Sequence, residues 1–276
     1  MGHNPLMPLT PFLSSQIAAI VRDTANEILV PAAARIKDIG IEEKGPNDFV
    51  TEADKQMEEV LTQRLQPLVE GSQILGEESA YADPTLIDRM LATDAPLWII
   101  DPLDGTANFI NQIGGYGPIV ALLDKGEVLG CWIYDVTRGD DGLTTLDNLH
   151  KSDASLRDRP LGNIGGRMRA AVERCASAPF YDIMPRSLMS CEAYRQLLDG
   201  DIDFILYRIT EPWDHYAGLA LAQKAGFVTL QWTGAPVTFS GRNNGLIVAR
   251  TTALAERLLN DVVTRVTDSE GLPYAA

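Results

Sequence analysis

The stretch Trp98-Ile-Ile-Asp-Pro-Leu-Asp-Gly-Thr-Ala-Asn-Phe109 carries most of what this sequence says about its fold and chemistry. Its apolar beginning is typical of a buried strand. Pro102 and Gly105 force turns between and after Asp101 and Asp104. Carboxylates on a turn at the end of a strand suit hard cations with oxygen ligands, such as Mg²⁺. The stretch therefore predicts a strand that ends in a cation site, although the pattern D-P-x-D-G by itself is often only a turn.

Further acidic residues stand at comparable positions elsewhere in the chain. Glu77 and Glu78 follow a short apolar run that predicts another strand. Asp214 stands at the start of a predicted helix, and Asp54 follows Thr51 at the spacing of a capping box. Each of these acids alone has an ordinary explanation, as a solvated pair or as a helix cap. Their joint occurrence in one chain favours a shared site.

The pattern of apolar residues predicts a layered α/β fold with a mixed sheet. A helix is expected from Pro11, with Pro31 kinking or interrupting it, and a hairpin is expected over residues 118–134. Residues 135–160 read as loop. Hairpin strands interspersed with helices favour a mixed sheet over a purely parallel, doubly wound one.

Composition and charge exclude several classes of protein. The 276 residues include 38 acidic and 23 basic ones, so the formal net charge is −15, which disfavours binding to nucleic acids and to anionic membranes. The three cysteines have no C-x-x-C spacing, as in a reduced intracellular protein. No apolar run approaches the length of a membrane span, and the first residues lack the pattern of a secretory signal. We therefore expect a cytoplasmic protein.

Four segments of the chain resemble the inositol monophosphatase family, whose members are Mg²⁺-dependent, lithium-sensitive phosphomonoesterases. The resemblance implies a layered α-β-α-β-α sandwich of the sugar-phosphatase type, with mixed sheets and two lobes. It also implies a single phosphatase domain over residues 1–276, with lobes at about 1–134 and 135–276, and we expect a homodimer. The segments are Asp48-Phe-Val-Thr-Glu-Ala-Asp54, Gly76-Glu-Glu-Ser79, Asp101-Pro-Leu-Asp-Gly-Thr-Ala-Asn-Phe109 and Pro212-Trp-Asp-His-Tyr-Ala-Gly218.

The resemblance also implies roles for individual residues. Asp54 and Thr106 resemble the pair that polarises the attacking water, and Glu77 can help to accept its proton. The backbone amides of Gly105 and Thr106 resemble those that hold the phosphate, and Glu78 resembles a possible outer metal ligand. The metal ligands implied in this way are Glu77, Asp101, the carbonyl of Leu103, Asp104 and Asp214.

The chemistry of phosphate esters agrees with these roles. A phosphate monoester dianion repels hydroxide, so a catalyst has to neutralise the ester and supply a nucleophile near neutral pH. Two or three Mg²⁺ ions can do both, because a bound cation lowers the pKa of water and stabilises the leaving oxygen. A cluster of carboxylates would hold such ions, and it also accounts for part of the negative charge.

Two segments depart from the family pattern and leave the substrate open. Residues 134–169 differ from it, and Arg186-Ser-Leu-Met-Ser-Cys191 matches only loosely. Both regions resemble those that shape the leaving-group pocket of the family, so Ser190 and Cys191 are expected to contact the substrate. The position of Tyr207 resembles one that holds an acidic residue in inositol-preferring relatives. The chain is therefore predicted to prefer another monoester to inositol 1-phosphate, unless a shift of register gives the acidic role to Glu211.

Other functions stay open beside hydrolysis of an inositol, sugar or histidinol phosphate. One is a 3′-phosphoadenosine-type nucleotidase. Another is a regulatory protein that binds the transcription machinery, as some family members do, through an arginine-rich surface. That surface would be the arginine cluster, which otherwise reads as a solvated loop and helix face. His215 is expected near the metal site but not as a general base. The arginine cluster comprises Arg157, Arg159, Arg167, Arg169 and Arg174.

Overall fold

The computed structural model describes residues 9–45, 48–175 and 179–270. Within these residues the strands form two five-stranded sheets and a two-stranded hairpin. Among the described residues, no helix combines the length and the apolar character that crossing a membrane would require. The helices are α1 (Pro11–Ala34), α2 (Glu52–Leu65), α3 (Glu77–Ala82), α4 (Thr85–Leu91), α5 (Thr106–Asn111), α6 (Gly166–Cys175), α7 (Ser190–Asp199), α8 (Pro212–Lys224), α9 (Thr252–Leu258) and α10 (Thr264–Glu270). The strands are β1 (Ile41–Gly45), β2 (Asp48–Thr51), β3 (Gln73–Gly76), β4 (Leu97–Asp104), β5 (Gly117–Asp124), β6 (Glu127–Tyr134), β7 (Leu143–Thr145), β8 (Leu161–Ile164), β9 (Asp182–Ile183), β10 (Phe204–Tyr207), β11 (Val228–Leu230) and β12 (Leu246–Ala249).

Both sheets are mixed. The first has the order β3-β4-β5-β6-β7, with β3 and β4 parallel and the other pairs antiparallel. The second has the order β11-β12-β10-β8-β9, with β8 parallel to both of its neighbours and β12 antiparallel to both of its own. The predicted hairpin is confirmed as β5 and β6.

Side chains that alternate along the strands build three apolar layers. On β4, Trp98 and Ile100 pack under α1 and α2, whereas Leu97 and Ile99 face α7 and α8. Helices α7 and α8 also contact the second sheet, so they lie between the two sheets. The opposite face of the second sheet packs against α6, α9 and α10. This order of layers confirms the α-β-α-β-α sandwich.

The first helix runs through Pro31 to Ala34, so the expected interruption is wrong. Proline removes one backbone hydrogen bond and its ring crowds the carbonyl four residues earlier. Pro31 is exposed and stands one turn before the end of α1, where few bonds remain to be lost. Ala32 still packs in the core beside it.

The segment between the sheets is more regular than predicted. Residues 136–142 form a short 3₁₀ segment and β7 follows, so only residues 146–160 are without regular structure. The first sheet ends at Thr145 and the second begins at Leu161. The division into lobes near residue 134 stays a prediction.

Candidate active site

The candidate site lies where β3 ends beside β4. The two strands are parallel, and Gly76 pairs with Ile100. The next residues, Glu77 and Asp101, therefore meet at the same edge of the sheet. Both line a cleft with a volume of about 590 Å³, together with Thr106 from α5.

A β-bulge turns the two aspartates of β4 to one side. Asp101 pairs with Ile119 and Asp104 pairs with Gly117, so residues 102–103 stand opposite a single residue of β5. In a regular strand, residues three apart point to opposite faces, and one extra residue cancels that alternation. The strand thus continues to Asp104, and the turn predicted between Asp101 and Asp104 is a bulge within the strand.

Three carboxylates converge in the cleft. Oxygen atoms of Asp101, Asp104 and Asp214 lie within 4.8 Å of one another, and Asp214 comes from the first turn of α8. Desolvation raises the pKa of Asp101 and of Asp214 well above the usual range, and the charge of Glu77 raises both further. No basic side chain among the described residues forms an ion pair with any of the three aspartates. A set of carboxylate oxygens without an internal counter-ion fits a hard cation such as Mg²⁺.

Glu77 is the first residue of α3 and lines the cleft beside the three aspartates. Glu78, predicted as a possible outer ligand, is not among the described residues that line the cleft. Its backbone instead joins α3 to α2, because its N–H donates a hydrogen bond of 2.7 Å to Glu58.

Glu58 is a residue of the site that the sequence reasoning missed. It is buried on α2, and besides Glu78 it accepts hydrogen bonds from the N–H (3.0 Å) and the hydroxyl of Ser79. Gly76 makes room for it, since a Cβ at that position would lie 2.3 Å from the Glu58 carboxyl carbon. The carboxylate thereby fixes the turn of helix that presents Glu77. An acidic residue on the otherwise apolar face of α2 was the available signal.

Asp54 serves both as a helix cap and as a partner of Thr106. Its Oδ2 accepts hydrogen bonds from the N–H (2.8 Å) and the hydroxyl (2.6 Å) of Thr51, which completes the predicted capping box. Its Oδ1 accepts a hydrogen bond of 3.0 Å from the Thr106 hydroxyl. Burial raises the pKa of Asp54, and the hydrogen bonds from Thr51 and Thr106 oppose that shift. The two explanations of Asp54 are compatible because they use different oxygens.

The backbone from Leu103 to Thr106, which leads from β4 into α5, also lines the cleft. The Leu103 N–H donates to Asp101 Oδ1 (2.9 Å), and the Leu103 carbonyl lies 3.0 Å from the Thr106 hydroxyl. Gly105 has φ +85°, and a Cβ there would lie 2.8 Å from the carbonyl oxygen of Gly115. Glycine is therefore required at this turn, which opens α5 and exposes its first amides.

Asp104 is held by the start of α7. The N–H groups of Ser190 (3.3 Å) and Cys191 (2.8 Å) donate to its two oxygens. Ser190 lines the cleft, as expected for a substrate contact. Cys191 is 0% exposed and does not line the cleft, so substrate contact by Cys191 is wrong and its backbone positions Asp104 instead.

Tyr207 lines the cleft, and its hydroxyl group forms hydrogen bonds within the protein. The hydroxyl donates to the Leu188 carbonyl (3.1 Å) and accepts from Asn163 Nδ2 (3.0 Å). Burial raises the pKa of the phenol. Glu211 lines the cleft as well and lies 3.5 Å from Arg242 Nη1, so both residues weighed for this position are at the site.

His215 is buried behind Tyr207, with the two ring centres 4.6 Å apart. Its Nε2 contacts the Ile209 carbonyl (3.2 Å), which can only accept, so Nε2 carries the proton. Nδ1 then accepts from the Tyr194 hydroxyl (3.3 Å). Burial lowers the pKa of His215 to about 4. A neutral imidazole with both nitrogens engaged is unsuited to act as a general base.

Apolar side chains form much of the cleft wall, which limits the polar groups available to a substrate. The segment that departs from the family pattern contributes little, since among its described residues only Gly165, Gly166 and Met168 line the cleft. Most of the described part of the segment that was expected to shape the leaving-group pocket thus lies away from the cleft lining. The other apolar lining residues include Phe49, Ala80, Tyr81, Pro84, Ile87, Leu103, Ala107, Met189, Ile209 and Trp213.

The arginine cluster is engaged within the protein. Arg157 pairs with Asp203 at 3.0 Å, and Arg159 pairs with Asp182 at 2.6 Å. Arg169 pairs with Glu173 at 2.9 Å, and Arg174 also has an interaction with its surroundings. The side chain of Arg167 lies outside the described residues. The described arginines of the cluster thus already have partners in the folded chain.

Comparisons with known proteins identify relatives of this chain. The model of the inositol monophosphatase family matches residues 11–267. Inositol-1-monophosphatase from Bacillus subtilis is 28% identical over 240 residues, which cover 79% of this chain and 88% of that protein. Nus factor SuhB from Escherichia coli is 27% identical over 248 residues, covering 82% and 87%.

A solved structure described as an IMPase/NADP phosphatase complexed with Mg²⁺ and phosphate superposes with a TM-score of 0.71 at 20% identity. The superposition covers 90% of this chain and 96% of that one, and it shows the same fold. This likeness of fold agrees with the family match, which spans almost the whole described chain. The chain belongs to the inositol monophosphatase family.

Proposed function

We propose that this protein is a metal-dependent phosphomonoesterase that hydrolyses a small phosphate monoester by Mg²⁺-activated water. The observation that carries the proposal is the convergence of Asp101, Asp104 and Asp214 within 4.8 Å, without a basic partner among the described residues. Family relatives named as phosphatases, and the Mg²⁺ and phosphate in a structure of the same fold, support it.

In this proposal the cleft residues divide the work. Glu77, the Leu103 carbonyl and the three aspartates would hold two or three Mg²⁺ ions, whereas Glu78, outside the cleft lining, would not be a direct ligand. Bound Mg²⁺ would neutralise the phosphate, lower the pKa of a water and stabilise the leaving oxygen. The remaining steps belong to the chain. Thr106, oriented by Asp54 Oδ1, positions the water and passes on its proton, with Glu77 as a further acceptor.

The phosphate group itself is held by backbone amides. Gly105 and Thr106 stand where the N–H groups of the first turn of α5 have no partner inside the helix. Partial positive charge at a helix start favours an anion there. This proposal therefore requires the left-handed backbone at Gly105.

The nature of the cleft wall argues against a polyol as the preferred substrate. The Tyr207 hydroxyl is already bonded to Leu188 and Asn163, and several neighbouring lining residues are apolar. Substrate hydroxyls buried there without acceptors would lose about 1–3 kcal/mol each. Inositol 1-phosphate is thus proposed to be a poorer substrate than another monoester. Sugar phosphates, histidinol phosphate and 3′-phosphoadenosine-type nucleotides remain candidates.

A regulatory role is the second candidate because relatives carry the name Nus factor SuhB. It would require a surface for the transcription machinery, and the described arginines of the cluster are paired internally. The enzyme is therefore favoured. A cytoplasmic location, a homodimer and the absence of membrane binding belong to the same proposal.

A phosphate-release assay tests the function. Purified protein is given inositol, sugar and histidinol phosphates and 3′-phosphonucleotides, with Mg²⁺ or with excess EDTA. We expect release only with Mg²⁺, inhibition by lithium, and a substrate that exceeds inositol 1-phosphate in kcat/KM. Absence of release from every ester would refute the enzyme, and the highest kcat/KM on inositol 1-phosphate would refute the substrate argument.

A further inference from the structure

Arg208 is a cation in the cleft whose role the proposed chemistry does not explain. It follows directly after β10 and lines the cleft with Tyr207 and Asp214. Its Nε is buried and has no hydrogen-bond partner. Within the described part of the chain, its guanidinium forms neither an ion pair nor a hydrogen bond.

Arg208 differs in this respect from two arginines at the opposite end of β10. Arg157 and Arg250 both pair with the buried Asp203. Glu211, the cleft carboxylate closest to Arg208 in sequence, lies 3.5 Å from Arg242 instead. A buried N–H without a partner is costly, and native structures retain few of them. At the wall of a binding cleft, a ligand can provide the missing acceptor.

The chemistry of the guanidinium indicates the kind of ligand. It presents several N–H groups in a planar fork that matches the two oxygens of a carboxylate or a phosphate. The reacting phosphate already has its own neutralising site, since cations on Asp101, Asp104 and Asp214 and the amides of α5 would surround it. Arg208 forms no ion pair with those aspartates, so its charge is available to another group of the same substrate.

We propose that Arg208 binds a second anionic group, a carboxylate or a second phosphate, on the leaving-group part of the substrate. This inference rests on the proposed phosphatase function and narrows its substrate class. It also disfavours leaving groups whose positive charge would lie beside Arg208, such as the amine of histidinol phosphate, because like charges repel. Tyr207, whose hydroxyl is engaged, adds a flat apolar surface beside the cation.

Matched esters test the proposal by kinetics. One pair is 2-phosphoglycerate and glycerol 2-phosphate, and the other is adenosine 3′,5′-bisphosphate and adenosine 3′-phosphate. In each pair only the first compound has the second anion. We expect kcat/KM to be about 10- to 100-fold higher for the two-anion ester in at least one pair, as for a charge-assisted hydrogen bond. The pair that responds identifies the carboxylate or the phosphate.

Three variants assign the preference to a residue. Arg208→Met should bring the ratio of kcat/KM within the responding pair close to 1, and Arg208→Lys should retain part of the preference. Arg138→Met is the matched control, because Arg138 is exposed, lies outside the cleft lining and has no side-chain partner among the described residues. It should keep the ratio of the unsubstituted protein. An unchanged ratio in Arg208→Met, or no preference in either pair, overturns the inference.

A binding measurement separates this inference from the proposed function. Where the probes are not hydrolysed, calorimetry in the same Mg²⁺ buffer gives their dissociation constants. Absence of hydrolysis refutes the phosphatase alone if the two-anion probe still binds at least about tenfold more tightly and Arg208→Met removes that difference. Equal binding, or no binding, overturns the anion subsite. Hydrolysis without the predicted preference overturns the subsite and leaves the phosphatase intact.

Discussion

Replacing Glu58 by Gln should weaken the metal site without touching a metal ligand. The Glu58 carboxylate accepts hydrogen bonds from the N–H groups of Glu78 (2.7 Å) and Ser79 (3.0 Å) and from the Ser79 hydroxyl. In Glu58→Gln an NH₂ group replaces one of the two acceptor oxygens. It faces an N–H or O–H group of Glu78 or Ser79, so that hydrogen bond is lost. Because hydrogen bonds to charged groups contribute about 1.5–3 kcal/mol each, losing one or two should lower the free energy of unfolding by about 2–4 kcal/mol.

The same change loosens the first turn of α3, and Glu77 is the first residue of that turn. Residues that orient a metal ligand from behind typically change metal affinity or activity by about 10- to 100-fold when they are replaced. We therefore expect the Mg²⁺ concentration for half-maximal phosphate release to rise by about that factor in Glu58→Gln. The measurement is a Mg²⁺ titration of phosphate release at a temperature where both proteins are folded, with urea unfolding for stability.

Glu59→Gln is the matched control for this experiment. Glu59 is the next residue of α2, is exposed, and accepts only a surface hydrogen bond of 3.1 Å from Gln63. Its replacement should alter the free energy of unfolding by no more than about 0.5 kcal/mol and leave the Mg²⁺ titration unchanged. If Glu58→Gln lost stability but kept the Mg²⁺ dependence and turnover of the unsubstituted protein, Glu58 would be a structural residue only.

Three further changes examine the rest of the site. Asp101→Asn removes one carboxylate from the cluster and should abolish Mg²⁺ binding and turnover together, as calorimetry and phosphate release can show; full activity in excess EDTA would contradict metal dependence. Thr106→Ala should lower turnover by about 100-fold while Mg²⁺ binding persists, because only a positioned proton-transfer group is lost, and Thr106→Ser should restore much of it. Loss of Mg²⁺ binding in Thr106→Ala would reverse that assignment. Gly105→Ala should lower the free energy of unfolding by about 1–3 kcal/mol, since φ is +85° and the added Cβ meets the Gly115 carbonyl at 2.8 Å; an unchanged urea midpoint would show that the turn relaxes.

The parts of the site that sequence reasoning located are those whose signals are local. Pro102 and Gly105 stand beside Asp101 and Asp104, and the capping pattern around Asp54 requires only four consecutive residues. Such signals report backbone geometry within a single turn. The pairing of β5 and β6 was accessible for the same reason, because a short turn joins them.

Features that depend on contacts between residues far apart in the sequence could not be predicted from it. Glu58 is separated by about 20 residues from its hydrogen-bond partners, so nothing near it indicates that it is satisfied. Strand β8 was missed because Gly162 interrupts the usual strand pattern. The structure requires that glycine, since a Cβ there would lie 2.3 Å from the ring of Phe204 on the neighbouring strand. The burial of Cys191 likewise depends on helices that pack together only in the folded chain.

The bulge in β4 restricts how many residues can separate Asp101 from Asp104 in any descendant of this protein. Asp101 shares the face of Ile99, and the extra residue places Asp104 on that face as well. Deleting residues 102 and 103 together, or inserting one residue while the bulge persists, would turn the second carboxylate to the opposite face, under α1 and α2, where Trp98 packs. Natural insertions and deletions should therefore accumulate in residues 146–160, between the two sheets, and stay absent between the two aspartates. Between the two aspartates, substitutions should be tolerated more readily than insertions or deletions.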